Sequence, residues 1–188
     1  MRSHPRLALA LAGLALVSGC GGAETPAAEP DPVSTSPEDA GSPPPEPEPD
    51  SSPQEVPETL DFASTTVGGD PFEGASLAGR PALLWFWAPW CPTCRSQIPQ
   101  VQEIAGQHGE DVAVVGVGSL DSAEAIAEFA EEVPGVTHLE DVDGALYRKF
   151  GIAEQSSFVL LDADGEVAFQ TGYGGSEELA AEVADVVG

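Results

Sequence analysis

The stretch that decides the fold is ALLWFWAPWCPTC, residues 82–94. Residues 82–87 are apolar without alternation, which predicts a buried strand, and residues 96–107 have the pattern of a helix. A Cys-x-x-Cys pair at such a junction holds two sulfurs within bonding reach. The first sulfur, that of Cys91, faces unpaired N–H groups at the helix start, and these favour the thiolate that attacks disulfides. We therefore predict thiol–disulfide exchange, with Cys91 as nucleophile and Cys94 as resolving thiol, and we expect Cys91 to be the more exposed and more acidic of the two.

The third cysteine, Cys20, has a separate explanation. Arg2 and Arg6 precede an apolar run at residues 7–17, which ends in Val17-Ser18-Gly19-Cys20. This pattern predicts a secretory signal, and the run is too short to span a bilayer. The four residues resemble a bacterial lipobox, so residues 1–19 are interpreted as the signal peptide and Cys20 as a lipidated residue. The alternative is an ordinary cleaved signal with a chance cysteine.

Residues 20–57 are interpreted as the lipidated cysteine and a tether. From residue 21 onward this segment is dominated by Pro, Glu, Ser, Ala and Asp and contains no Lys, Arg or aromatic residue. Such a composition cannot bury enough apolar surface to offset its ordering entropy, and its prolines and like charges keep it extended. The sequence predicts a disordered spacer between a membrane and a domain at residues 58–188. The alternative is a low-complexity tail of no specific use.

The charge is strongly acidic. All 32 acidic residues follow Cys20, against four basic ones, Arg80, Arg95, Arg148 and Lys149. This balance argues against a nucleic-acid partner and against anionic headgroups, so the lipid itself must supply the membrane contact. Solubility, or a salty environment that screens self-repulsion, explains the charge better than a dedicated basic partner does.

Residues 58–188 have the length of one domain with one sizeable core. The order of strands and helices predicts an α/β three-layer sandwich with a central mixed sheet. Asp121 and Ser176 are the expected caps of the second and last helices, and Pro99 should kink the first helix. Besides residues 82–87, the predicted strands are 112–117, 136–139, 158–161 and 166–170, and the predicted helices are 96–107, 121–132, 145–150 and 176–187.

The stretch WFWAPWCPTCR, residues 85–95, resembles the active site of extracytoplasmic thioredoxin-like proteins of the TlpA, ResA and DsbE (CcmG) group. The likeness covers roughly residues 62–187. It implies a thioredoxin-like fold, no cofactor, exported proteins with thiols or disulfides as partners, and a membrane redox partner that recycles the pair. Trp90 should wall the site, and Pro92 and Thr93 complete a motif similar to that of CcmG. A zinc site would need four ligands, and only His108 and His138 are available besides the pair, so no metal is predicted.

Ser156 departs from the pattern of this group, whose members carry a cis-proline facing the cysteines. A non-proline cis bond costs about 3–4 kcal/mol, so a trans peptide is expected. The group's loop offers backbone to substrate and keeps metals off the thiols, so Ser156 is expected to loosen both kinds of discrimination. Its hydroxyl is a candidate hydrogen-bond partner for a sulfur. The alternative is that the alignment slips and no residue fills this role.

Two acidic positions of these relatives are also replaced, by Trp85 and Gln97. A carboxylate beside Cys94 would help to deprotonate it, so resolution of a mixed disulfide is expected to be slower here. Arg95 adds a positive charge next to the pair. It is a candidate for lowering a thiol pKa, and the alternative is that it points to water.

Three functions compete. The first is a membrane-tethered reductase at the extracytoplasmic face, with cytochrome c apoproteins among its targets. The second is a disulfide-forming oxidant of exported proteins, and the third is a binding module without turnover. A peroxidase fits less well because its Pro-x-x-x-Thr-x-x-Cys pattern is missing around Cys91. The CcmG-like motif favours reduction and a secreted setting favours oxidation.

Overall fold

The computed structural model describes residues 56–188. The element bounds are β1 Ala63–Thr66, β2 Pro71–Glu73, β3 Ala82–Trp87, α1 Pro92–His108, β4 Ala113–Ser119, α2 Ala123–Ala130, β5 Thr137–Asp141, α3 Ala145–Lys149, β6 Ser157–Leu161, β7 Val167–Gln170 and α4 Leu179–Val187, with short 3-10 helices at Glu58–Leu60 and Gly74–Leu77.

The strands form one mixed sheet in the order β2-β1-β5-β4-β3-β6-β7. β3, β4 and β5 run parallel, whereas β6, β7, β1 and β2 join through antiparallel pairs. This arrangement confirms the predicted thioredoxin-like α/β fold with a central mixed sheet. Among residues 56–188, none of the helices combines the length and the apolar character that crossing a membrane would require.

Strand β3 supplies side chains to the cores on both faces of the sheet. Leu83, Trp85 and Trp87 face the core that contains side chains of α1, α2 and α4. Leu84 and Phe86 face the core that contains side chains of α3 and the two 3-10 helices. Each core layer is therefore fixed to the strand that leads directly into the cysteine pair.

Helix α1 begins four residues before the predicted start at residue 96. Pro92 occupies the first turn, where its fixed φ suits a helix and its missing N–H costs nothing, and Cys91 is the N-cap residue. The helix continues without a break through Pro99 to His108. The cysteines therefore lie at the start of the helix, with Cys94 inside its first turn.

Two predicted helix caps were wrong. Ser122 caps α2, because its hydroxyl accepts the Ala125 N–H at 3.3 Å, while Asp121 accepts the N–H of Ser122. Helix α4 begins at Leu179 and has no side-chain cap. The Ser176 carbonyl, which accepts the Gln100 side-chain amide at 2.8 Å, belongs to the preceding loop.

The hairpin of β1 and β2 was not predicted, although its turn at Gly68-Gly69 follows β-branched residues and is typical of a hairpin. Strand β5 also begins and ends later than expected, at Thr137 and Asp141. The predictions for the signal peptide, Cys20 and nearly all of the tether concern residues outside the described range.

Candidate active site

Cys91 lies at the junction of β3 and α1, where its sulfur acts as the helix cap. Its Sγ accepts the backbone N–H of Cys94 at 3.2 Å. An N–H donor and the positive end of a 17-residue helix both stabilise negative charge on that sulfur. The geometry is suited to a thiolate nucleophile at position 91.

Cys94 sits one turn into α1 in a different environment. Burial, with further contributions from the adjacent Cys91 sulfur, raises the pKa of the Cys94 thiol from 9.0 to about 12. The opposing contributions from Ala88 and from the Ser156 hydroxyl are smaller. Cys94 therefore keeps its proton at neutral pH and must lose it before it can attack.

The expectation that Cys91 is the more exposed cysteine is wrong, because both side chains have 0% exposure. The Cys91 sulfur turns back over the first helical turn to accept the Cys94 N–H, and this direction points it into the protein. Both cysteines belong to the core cluster that includes Trp85 and Trp87.

Gln97 connects α1 to two other parts of the site. It is 3% exposed, and its Oε1 accepts the indole N–H of Trp85 at 3.0 Å. Its Nε2 donates to the backbone carbonyl of Ser156 at 3.3 Å. Hydrogen bonds therefore join Trp85, Gln97 and Ser156, and neither Trp85 nor Gln97 supplies an ionisable group.

Ser156 lies directly before β6 and next to the inner face of α1. Its φ is +65°, a left-handed conformation that non-glycine residues adopt rarely. Its N–H donates to Phe86 at 2.7 Å, and its carbonyl also accepts the Gly174 N–H at 2.9 Å. A proline has a φ near −65° and no N–H, so it cannot follow this path. The serine loop therefore differs from a proline loop in backbone as well as in side chain.

The Ser156 hydroxyl has no hydrogen-bond partner within residues 56–188, although the side chain is completely buried. The hydroxyl is nevertheless close enough to lower the pKa of Cys94 against the larger effect of burial. The Cys94 sulfur is thus its neighbour without a hydrogen bond of good geometry.

Two aromatic side chains form the rim of the site. Trp90 is 54% exposed, and its indole donates to the carbonyl of Leu120 at 3.1 Å. Tyr173 is half-exposed on the other side, and its hydroxyl lies 2.7 Å from that of Thr93, inside the Cys-x-x-Cys motif. Pro92 is exposed as well. Sequence reasoning missed Tyr173, for which the only signal is its place in the run Gly172-Tyr173-Gly174-Gly175.

Arg95 is engaged by groups other than the two sulfurs. Its guanidinium pairs with Glu132, donates to the carbonyl of Pro89 at 3.2 Å and lies 4.7 Å from the centre of the Phe129 ring. These contacts fix α1 against the end of α2. Arg95 is not among the groups that shift the pKa of Cys94.

Tyr147 belongs to the core on the other face of the sheet from the cysteines, and it was also missed because nothing in its local sequence marks it. Its hydroxyl donates to the carbonyl of Trp87 at 3.1 Å. Burial, with smaller effects from Cys94, Asp141 and Cys91, raises its pKa well above the usual range, so it stays protonated.

His108 and His138 do not join the cysteines in a cluster that could hold a metal within residues 56–188. His108 ends α1, and His138 is buried in β5 with its Nε2 at 3.3 Å from the carbonyl of Val133. Within residues 56–188, no three side chains of His, Cys, Asp or Glu come together as a metal site.

A cavity of about 390 Å³ opens beside the Ser156 loop. Its walls come from the segment before β6 and from the segment that ends in Tyr173, and they include Glu154, Ser157 and Thr171. The cavity thus adjoins the side of the site that Tyr173 and Ser156 occupy.

A thioredoxin-like α/β domain with a vicinal cysteine pair at a helix start defines the class of thiol–disulfide oxidoreductases. A family model described as redoxin matches residues 49–186, and the chain belongs to that family.

The chain is 38% identical to the soluble secreted antigen MPT53 of Mycobacterium tuberculosis over 113 residues, which are 60% of this chain and 65% of that protein. It is 31% identical to the thiol:disulfide interchange protein DsbE of Pseudomonas aeruginosa over 93 residues, 48% of this chain and 50% of that protein. The match therefore spans less than two thirds of either relative. Among solved structures, MTB DsbF is similar with 40% identity and a TM-score of 0.65, over 70% of this chain and 98% of that one.

Proposed function

We propose that this protein exchanges disulfides with exported proteins through Cys91 and Cys94, as a membrane-tethered enzyme at the extracytoplasmic face. The observation that carries the proposal is the Cys91 sulfur, which accepts the Cys94 N–H at 3.2 Å at the start of α1. A thiolate held there attacks a substrate disulfide, and Cys94 then displaces the substrate. The names of DsbE, a thiol:disulfide interchange protein, and of MPT53, a secreted antigen, support the chemistry and the export.

Trapping tests the roles of the two cysteines. We expect Cys94→Ser to accumulate a mixed disulfide with a model disulfide peptide, because the resolving thiol is gone. Cys91→Ser is the matched control and should accumulate none, since Cys94 holds its proton at neutral pH. Accumulation in the Cys91→Ser protein instead would reverse the assignment. A wild-type protein that binds the peptide but never turns over would be a binding module.

The direction of exchange has two candidates. A reductant would deliver electrons to exported disulfides, with cytochrome c apoproteins among the targets, and the CcmG-like motif supports this role. A disulfide-forming oxidant is the second candidate, because the N–H bond to Cys91 stabilises the thiolate and hence the reduced pair.

The reduction potential discriminates between the two directions. Equilibration with glutathione should give a value near that of thioredoxin, about −270 mV, for a reductant, and one approaching that of DsbA, about −120 mV, for an oxidant. Cys94→Ser, which cannot form the internal disulfide, is the blank for this titration.

We propose that Cys20 carries the lipid that anchors the protein, and that a separate membrane redox partner recycles the cysteine pair. The run Val17-Ser18-Gly19-Cys20 and the proline-rich segment after it support this. Cys20→Ala should prevent lipid labelling and release the protein from membranes, whereas Ser18→Ala should keep both. Equal membrane retention of the Cys20→Ala protein would refute the anchor without touching the exchange chemistry.

A further inference from the structure

We propose that the Ser156 hydroxyl is the group that stabilises the Cys94 thiolate while a mixed disulfide is resolved. This inference rests on the proposed exchange function and assigns its resolving step. Ser156 thereby becomes a catalytic residue, since its hydroxyl acts on a reacting sulfur.

The first argument is the state of the hydroxyl. Its side chain is completely buried and, within the part of the chain that the structure describes, has no hydrogen-bond partner. Leaving a buried hydroxyl unpaired destabilises a fold, and native proteins do so rarely. Its neighbour Ser157, by contrast, donates to the carbonyl of Glu154 at 2.8 Å. Apart from its effect on the pKa of the neighbouring Cys94 thiol, the Ser156 hydroxyl is thus unpaired in the resting protein and available to a thiolate that forms during the reaction.

The second argument is the backbone that presents it. A φ of +65° is strained for serine, and hydrogen bonds to its backbone groups hold it there. The Ser156 N–H donates to Phe86, and the Ser156 carbonyl accepts from Gly174 and from the Gln97 side chain. Gln97 lies one turn after Cys94 on α1, so both face the same way and the bond to Gln97 places the serine over that face. The loop thereby holds the serine hydroxyl close enough to the resolving sulfur to lower its pKa.

The third argument is the lack of an acid among the side chains that bond to the Ser156 loop; the Ala88 backbone also lowers the pKa of Cys94, but burial outweighs it. The buried Trp85 and Gln97 side chains are bonded to one another, and neither is an acid that could take the proton of Cys94. Burial keeps the Cys94 thiol protonated, so its attack requires a group that stabilises the transient anion. A hydroxyl provides one O–H donor for that purpose.

The step balances as follows. The mixed disulfide joins Cys91 Sγ to the substrate sulfur. Cys94 releases its proton to water, and its thiolate accepts the Ser156 O–H while it attacks Cys91 Sγ. The Cys91–Cys94 bond forms and the Cys91–substrate bond breaks. The substrate sulfur leaves as a thiolate that takes up a proton, so the pair is oxidised by two electrons and the substrate is reduced by two.

The experiment separates attack from resolution. The full chain carrying Cys20→Ala, in which the pair supplies the only thiols, reacts in reduced form with 5,5′-dithiobis(2-nitrobenzoate). Attack by Cys91 releases one thionitrobenzoate, and resolution by Cys94 releases the second. We expect Ser156→Ala to slow the second release about tenfold, to shift its rise with pH to higher pH, and to leave the first release within about twofold.

Ser157→Ala is the matched control, because it removes a neighbouring buried hydroxyl that already has a backbone partner. It should leave both releases unchanged. Ser156→Gly, which suits a positive φ, provides the same loss of hydroxyl if the alanine variant folds poorly. Because the hydroxyl is unpaired, its removal should not lower the unfolding midpoint. A purely structural role would also leave the rate of the second release and its pH profile unchanged.

Two results overturn the inference in different ways. If the second release of both Ser156 variants matches the parent at every pH, the hydroxyl plays no part and the exchange function stands. If the parent shows no first release, the proposed function fails and the inference falls with it.

Discussion

Replacing Gln97 by methionine tests the hydrogen bonds that join α1 to β3 and to the Ser156 loop. Methionine keeps the length of the side chain and removes the amide oxygen and the amide nitrogen that form these bonds. The buried Trp85 N–H then loses its acceptor at 3.0 Å, and such an unpaired donor costs about 1–3 kcal/mol. The bond to Ser156 is long at 3.3 Å, and the Ser156 carbonyl keeps the Gly174 N–H, so its loss adds little.

We expect a loss of about 2 kcal/mol in the free energy of unfolding, which at roughly 4 °C per kcal/mol lowers Tm by about 8 °C. Urea denaturation of the reduced protein, followed by tryptophan fluorescence, measures it. Gln100→Met is the matched control, because Gln100 is only partly buried and water can replace its bond to Ser176.

A double-mutant cycle with Trp85→Phe locates the effect. If the indole bond carries the loss, Gln97→Met should cost much less in the Trp85→Phe background. A Gln97→Met protein as stable as Gln100→Met would refute the reasoning, and so would a cycle with no coupling.

Three further perturbations follow from the packing. Gly118→Ala should cost about 1–3 kcal/mol in urea denaturation, because a Cβ there would lie 2.7 Å from the Trp87 ring; an unchanged midpoint contradicts the packing. Burial lowers the pKa of His138 below 6.5, so the stability that the neutral ring contributes is complete above that pH and is lost as pH falls below it. His138→Gln should therefore flatten the fall in the free energy of unfolding between pH 7 and 5. A fall as steep as that of the parent refutes this. Ser156→Pro should destabilise the fold by more than about 1 kcal/mol, since the φ of Ser156 is +65° and its N–H donates to Phe86. It should also change the rate of peptide-disulfide exchange or the affinity for zinc more than the reduction potential. A variant that matches the parent in exchange and in zinc binding contradicts our placement of this loop beside the cysteines.

The sequence predicted the parts of this molecule that depend on local pattern. The apolar run of β3 matches residues 82–87, because a strand buried on both faces needs no alternation. The cysteine pair was located by spacing alone. The last helix was placed three residues too early, because Ser176 followed by two glutamates has the chemistry of a cap while its carbonyl is used by the loop.

The parts that could not be predicted depend on contacts distant in sequence. Trp85 and Gln97 were noted only as missing acids, and their mutual bond requires the rotation of α1 against β3. The left-handed φ of Ser156 has no local signal, since serine is not typical of that region. The burial of Cys91 was missed because a helix start is usually open to solvent, whereas this sulfur turns inward.

Strand β3, which leads into the cysteine pair, is hydrogen-bonded on both sides, by β4 and by β6. It carries large buried side chains on both faces, so its amides should exchange with solvent only when the whole domain unfolds. The sulfurs at its end cannot reach out to a partner. In the exchange proposed above, a target must therefore bring its own sulfur to the buried pair on an extended segment.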